Sequence, residues 1–272
     1  MRQLLLLREF EKNCPCIWFG VEEGAENAKE AASIEQAVSK AENILLPIPM
    51  CKGNMLNIQQ NIEVTKEELL EYVRAGQRIF AGCMDEEWCK EANRKGAVCF
   101  DYMKEQTIAI YNSIATAEGT LAEMIRTYPR NLHGAKVLVL GFGNCAKTLA
   151  AKLKALDAKV SIAARAEHAL MEAYANGYRA VKLEALPGVI GEYSLIVNTI
   201  PARILTRNEL SFLKEEAAVY EIASFPYGVD VEAAKELSVP VYICPSLPAR
   251  YAPVSSVEVL KKYIVEKQGG NT

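Results

Sequence analysis

The stretch VLVLGFGNCAKTLA, residues 137–150, constrains what this chain can fold into more than any other. An unbroken apolar run ends at Gly141, and Gly141, Gly143 and Ala146 then fall in the spacing G-x-G-x-x-A ahead of an amphipathic segment. That order predicts a buried strand, a tight turn and a helix. Gly141 permits the turn, Gly143 lets the backbone approach a diphosphate, and Ala146 keeps helix and strand close. The amides opening the helix carry a partial positive charge that attracts an anion. Gly141, Phe142, Gly143, Asn144, Cys145 and Ala146 are therefore the expected pyrophosphate-binding residues.

The rhythm around this unit sets the fold class. Strands are expected at KVSIAAR (159–165), YRAVKL (178–183), YSLIVNTIP (193–201), AAVYEIAS (217–224) and VPVYICP (239–245), separated by helices at 167–176, 206–215 and 230–237. Short apolar strands alternating with amphipathic helices predict a parallel sheet covered on both faces. Residues 113–254 thus read as a doubly wound Rossmann domain, entered by a bridging helix over 114–127 that stops at Pro129.

The first half alternates too. A helix over about 2–12 precedes strand-like CIWFGV (16–21), a helical EGAENAKEAASIEQAVSKA (23–41), the strand NILLPIP (43–49) and a polar loop. Thr65 and Glu68 form a capping box for EELLEYVRAG, with Gly76 as the C-cap glycine. QRIFAGC (77–83), a helix in DEEWCKEANRKG and AVCFDY (97–102) follow. Residues 1–112 are expected to form a flavodoxin-like α/β domain on the substrate side, with a C-terminal helix over 255–267 packed on it; because it opens on a helix, either its sheet is one strand short or the natural chain once had residues before Met1.

Composition excludes several classes. A net charge of −3 without long runs of one sign offers no footprint for nucleic acid. No window approaches the roughly 18 apolar residues of a membrane span. Leu4 to Leu7 are followed at once by Arg8, Glu9, Glu11 and Lys12, which does not make a signal peptide, so a cytoplasmic location is expected. The 8 cysteines include no C-x-x-C pair and are joined by only 2 histidines, so no metal site is expected.

Cofactor choice turns on Arg165. NAD-binding versions of the fold place a carboxylate at the end of the second strand to accept from the ribose 2′-hydroxyl, whereas a 2′-phosphate calls for a cation. Here that strand ends Ala163-Ala164-Arg165, with no acid before Glu167. A guanidinium binds phosphate through paired donors, so NADP is favoured over NAD; a solvated surface arginine is the competing reading, and His168 is either an assistant or merely exposed. Asn198, Thr199, Ile200 and Pro201 end one strand and Ala223 and Ser224 another. Both segments belong at the carboxyl edge of the sheet, where open α/β sheets bind ligands.

At this point a family resemblance is visible. IYNSIATAEG (110–119), NLHGAKVLVLGFGNCAKTLA (131–150), NTIPA (198–202), EIASFPYGVD (221–230) and SLPARYAP (246–253), with LPIP (46–49), IFAG (79–82) and Arg2-Gln3 in the first half, resemble the A-subunit family of dipicolinate synthase. The resemblance implies oxidation of dihydrodipicolinate, a small cyclic dicarboxylate, with hydride passing to NADP⁺. It also implies a second synthase subunit, of the B type, and residence in the mother cell of a sporulating bacterium. A homo-oligomer stays open. The chain departs from the family pattern at Ser246, Ala249, Arg250, Val254, Ser255 and Ser256, and has Pro226-Tyr227-Gly228 where the family has P-G-G. Two other readings therefore stand beside it: a nucleotide-binding subunit without turnover of its own, and an oxidoreductase of shikimate-dehydrogenase type.

The implied reaction needs groups that desolvate two carboxylates, and a base of modest strength. The candidates are Asn112, Ser113 and Thr116 at the expected start of the bridging helix, Glu118 one turn inside it as base or dipole partner, and Arg250 as a carboxylate clamp where the family has lysine. Asn112 and Ser113 are also favoured helix caps, and capping and carboxylate binding can coexist. Arg203, after the NTIP turn, is a further clamp candidate.

Overall fold

The computed structural model describes residues 2–21, 24–58 and 62–269. It divides into two units: residues 1–109 with 253–272, and residues 110–252.

The first unit begins with helix α1 (Arg2–Phe10), the short parallel strands β1 (Ile17–Trp18) and β2 (Lys29–Glu30), helix α2 (Ile34–Val38) and strand β3 (Asn43–Leu45). A hairpin of β4 (Cys51–Lys52) and β5 (Met55–Leu56) follows, then helix α3 (Lys66–Tyr72), strand β6 (Arg78–Ala81), helix α4 (Glu86–Arg94) and strand β7 (Val98–Asp101). Strands β3, β6 and β7 form a three-stranded parallel sheet in that order, smaller than a full flavodoxin-like sheet. Of the long helix expected over 23–41, the described residues 24–41 keep only α2; Glu23 lies outside the described residues. Ala31 N donates to Trp18 O at 2.8 Å, holding the preceding segment as a strand, and Ser33 caps the helix by accepting from Gln36 N. The strand at 43–49 ends before Pro47 and Pro49, which have no N–H to give a ladder. Thr65 does cap α3, whose C-cap is Val73; Gly76 instead takes φ +84° in the turn beyond.

Helix α5 (Gln106–Thr127) starts in the first unit and runs into the second. It begins eight residues before the expected 114. The sequence signal misleads here because Asn112 and Ser113 are good caps, yet Ser113 Oγ donates back to Ile110 O at 2.6 Å, which satisfies a hydroxyl inside a helix.

The second unit continues with β8 (Lys136–Leu140), α6 (Asn144–Ala155), β9 (Lys159–Ala164), α7 (Glu167–Ala175), β10 (Arg179–Lys182), α8 (Leu186–Val189), β11 (Leu195–Asn198), α9 (Arg207–Ser211), β12 (Ala218–Glu221), α10 (Val231–Glu236), β13 (Val241–Ile243) and α11 (Leu247–Tyr251). Its six strands are all parallel in the order β10-β9-β8-β11-β12-β13. Numbered from β8, that is 3-2-1-4-5-6, the dinucleotide-binding order whose direction reverses between the first and fourth strands. One face of the sheet packs Val137, Val139 and Val197 against Leu149 and Leu153 of α6, and the other packs Leu138, Leu140 and Ile196 against Leu186 and Leu210. Each fully buried leucine contributes about 1.5–3 kcal/mol.

SLPARYAP is not irregular as its prolines suggest. Pro248 lies in the first turn of α11, where a missing N–H costs nothing. Pro253 opens the last helix, α12 (Pro253–Gly269). It belongs to the first unit, where Val257, Leu260 and Ile264 share a core with Leu6 and Phe10 of α1, and Lys261 pairs with Glu9 at 2.9 Å.

Candidate functional site

Strand register places the glycine turn. Leu140, the last residue of β8, lies opposite Ala163 of β9, and Gly141 N donates to Ala163 O at 2.8 Å. Gly141 has φ +95°, and a Cβ there would stand 2.5 Å from Thr199 Oγ1. Both facts demand glycine. Thr199 is itself fixed, its hydroxyl donating to Leu140 O at 2.7 Å, and Ile200 packs on the same turn.

Gly143 differs. It is the N-cap of α6 with no side-chain capping bond, its φ of −84° suits any residue, and a Cβ there would meet nothing within 4 Å. Nothing in the folded protein requires a glycine at Gly143. The first amides of α6, from Asn144 to Ala146, have no intrahelical acceptor and no side-chain cap, and the space beside Gly143 is open. Phe142 turns inward, edge-on to Tyr178 at 6.1 Å, with Lys147 over its other face. Burial pushes the Cys145 thiol up, opposed by a side-chain hydrogen bond with Thr116.

Arg165 follows the last residue of β9 and so stands beside this turn. It is exposed, and among the described residues it makes no ion pair or hydrogen bond. A second cation flanks it. Lys182 ends β10 directly opposite Ala164 and faces Glu167, the acid nearest the strand end, at 3.6 Å. The edge around Arg165 therefore carries two cations, and the nearby carboxylate of Glu167 is already paired with one of them. His168 is exposed in the first turn of α7.

Asn198 does not face a ligand. It is 0% exposed; its amide nitrogen donates to both oxygens of Glu221 (2.8 and 2.9 Å) and to Ile200 O, and its oxygen accepts from Ile200 N. Glu221 is the residue the sequence reading missed. Also 0% exposed, it accepts from the amides of Ala223 (3.0 Å), Gly228 (2.9 Å) and Val229 (3.0 Å) as well as from Asn198. Burial pushes its carboxyl above the ordinary range while these N–H donors pull it down. The carboxylate thereby ties both ligand-edge loops, 198–201 and 222–229, to one point. Gly228 is required because a Cβ would stand 2.3 Å from Asn198 Nδ2. The signal was present as an acid closing an apolar strand with a glycine seven residues on. Ala223 spends its amide in this network, while Ser224, Phe225 and Pro201 stand at the same edge, Phe225 at 82% exposure.

The expected catalytic residues fare differently. Asn112, Ser113 and Thr116 lie inside α5, not at its start, so no free amides accompany them. Ser113 shares a hydrogen bond with Thr148 of α6 at 2.7 Å, and Thr116 donates to Asn112 O at 2.9 Å. Asn112 Oδ1 is buried without a partner among the described residues. Glu118 is exposed and pairs with Lys152 at 3.0 Å. Arg203 pairs with Asp230 at 2.9 Å. Arg250 is no open carboxylate clamp. Its guanidinium donates to Glu123 at 2.6 Å, which also accepts from Tyr251 OH at 2.7 Å and from Arg126. These partners, led by the Tyr251 hydroxyl, hold the buried Glu123 carboxyl at about 2.

Comparison with known proteins agrees with this frame. Residues 112–245 match the NAD-binding domain family of S-adenosyl-L-homocysteine hydrolase, and residues 1–103 match the N-terminal domain family of the dipicolinate synthase A-subunit. The dipicolinate synthase A-subunit of Bacillus subtilis is 28% identical over 269 residues, covering 95% of this chain and 90% of the relative. This chain is similar to the dipicolinate synthase A-subunit along nearly its whole length. The crystal structure of that protein from Bacillus halodurans superposes with a TM-score of 0.87 at 26% identity, covering 99% of this chain and 95% of the other. The crystal structure from Bacillus subtilis gives 0.83 at 27%, covering 98% and 93%. The second unit is a Rossmann-type dinucleotide-binding domain, and no helix among the described residues is long and apolar enough to cross a membrane.

Proposed function

We propose that this chain is an NADP(H)-dependent oxidoreductase that oxidises dihydrodipicolinate to dipicolinate together with a second synthase component. The observation that carries the cofactor assignment is the pairing, on adjacent strand ends, of an unobstructed helix start behind Gly143 with an exposed, unpartnered Arg165. The residues fit a nicotinamide dinucleotide. The amides of Asn144, Cys145 and Ala146 would hold its pyrophosphate, and Arg165, with Lys182 beside it, the ribose 2′-phosphate. When bound, the nicotinamide supplies a hydride acceptor.

The chain's own part is positioning. Aromatising a dihydropyridine is downhill, so the protein has to align donor and acceptor carbons and keep water out, more than to lower a steep chemical barrier. Glu221 fixes both loops at the carboxyl ends of β11 and β12, which sets that alignment, and Thr199 with Ile200 walls the floor of the turn.

The test is turnover. Purified chain, with and without the second synthase component, is given dihydrodipicolinate and NADP⁺, and NADPH formation is followed by absorbance. NADPH appearance supports the reading. Tight cofactor binding with no NADPH formed under either condition contradicts it.

A further inference from the structure

Among the described residues, the first unit holds a half-buried cation, its Nε fully buried, with no counter-charge. Arg2, Leu6 and Phe10 are spaced four apart on α1, so Arg2 lies on the helix face that packs Leu6 and Phe10 against Phe80 and Tyr102. Its Nε is buried without a partner, and its one hydrogen bond is a long 3.5 Å contact from Nη2 to Ile48 O. Among the described residues no carboxylate pairs with it. Asp101 is spent on the amides of Cys83, Met84 and Met103 at 3.1, 2.9 and 2.8 Å, and Glu105 accepts from Tyr263 OH. Burial lowers the Arg2 pKa, and the titratable groups whose fields reach it are Tyr102 and Cys83.

Tyr102 makes the second observation. It is 1% exposed, wedged beside Phe80 and edge-on to Tyr263, and its hydroxyl also lacks a partner among the described residues. An orphaned guanidinium nitrogen and an orphaned phenol in one place are each costly, and each is satisfied by an acceptor. The place is also where a ligand is expected. Ile48, Cys83 and Tyr102 follow β3, β6 and β7 at the carboxyl edge of the three-stranded parallel sheet, and Gly82 is packed so closely on Ile48 that a Cβ would fall 2.5 Å from it.

We propose that Arg2 and Tyr102 form a recess for the carboxylate of a small organic acid, Arg2 donating through its guanidinium and Tyr102 through its hydroxyl. The charge argues for a carboxylate over a phosphate ester. One cation beside a neutral phenol balances a monoanion, whereas a dianion would leave a buried negative charge. The further identification of that acid as a pyridine dicarboxylate rests on the function proposed above.

Calorimetric titration of the full-length chain with pyridine-2,6-dicarboxylate, pyridine-2-carboxylate, glutarate and unsubstituted pyridine separates the two claims. The wild type binds the pyridine carboxylates and not pyridine. Arg2→Gln weakens them at least tenfold, Arg2→Lys falls between, and the affinity for NADPH stays unchanged in both. Tyr102→Phe moves two readouts oppositely: carboxylate affinity drops severalfold, while the melting temperature of the free protein rises because an unpaired buried hydroxyl is gone. Binding of pyridine-2,6-dicarboxylate that survives Arg2→Gln overturns the recess and leaves the oxidoreductase reading standing. Arg2-dependent binding of glutarate without the pyridine acids supports the recess and contradicts the substrate. No carboxylate bound by the wild type overturns both.

Discussion

The two glycines of the turn look alike in the sequence and do different work. At Gly141 both the backbone and the neighbouring Thr199 exclude a side chain, so Gly141→Ala is expected to cost about 1–3 kcal/mol of stability, read as a fall in the urea midpoint. At Gly143 a methyl group enters open space, and Gly143→Ala is expected to stay within about 1 kcal/mol of wild type. The same variant should weaken NADPH at least tenfold, because the methyl occupies the approach to the helix amides. Equal affinity in Gly143→Ala and wild type would remove the diphosphate from this turn. Glu221 supplies a third case. All of its partners are N–H donors, so Glu221→Gln sets an amide NH₂ against them and is expected to lower stability by about 1–3 kcal/mol, measured by urea denaturation. A midpoint unchanged from wild type would mean the loops do not depend on that carboxylate.

Among the elements, α5 shows where sequence reasoning reached its limit. Its caps were misplaced because Asn112 and Ser113 have local cap preferences that a continuous apolar helix overrides. Its buried acid went unseen because Glu123 finds its partners at Arg250 and Tyr251, far along the chain. Arg250, expected as a carboxylate clamp where the family has lysine, is instead half of that pairing. The pairing has a pH signature. The folded Glu123 carboxyl sits at about 2, below its ordinary 4.5, so its contribution is fully present above about pH 5 and is lost as pH falls from there toward 2. The contribution is on the order of 3 kcal/mol, and the wild type should therefore lose more stability between pH 6 and pH 3 than Glu123→Gln does. Parallel pH profiles for the two proteins would refute this role.

For the molecule as a whole, the second unit was legible because its signals are local and repeated: short apolar strands of three to six residues alternating with helices, and glycine at the first turn. The doubly wound parallel sheet followed from them. The first unit was less legible, since its strands are two to four residues long and its segment of helical composition gives Lys29–Glu30 to β2, paired with β1, and keeps only Ile34–Val38 helical. The glycine turn and Arg165 were visible in the sequence, while the Glu221 network and the buried state of Asn198 arise only when two strand ends meet. The account stands on Arg165 reading a 2′-phosphate beside the α6 amides. Fluorescence titration of NADPH and NADH against wild type and Arg165→Ala tests it most directly. The account predicts a wild-type preference for NADPH that collapses at least tenfold in the variant while NADH affinity holds; a preference unaltered by the substitution, or both affinities falling together, would contradict it.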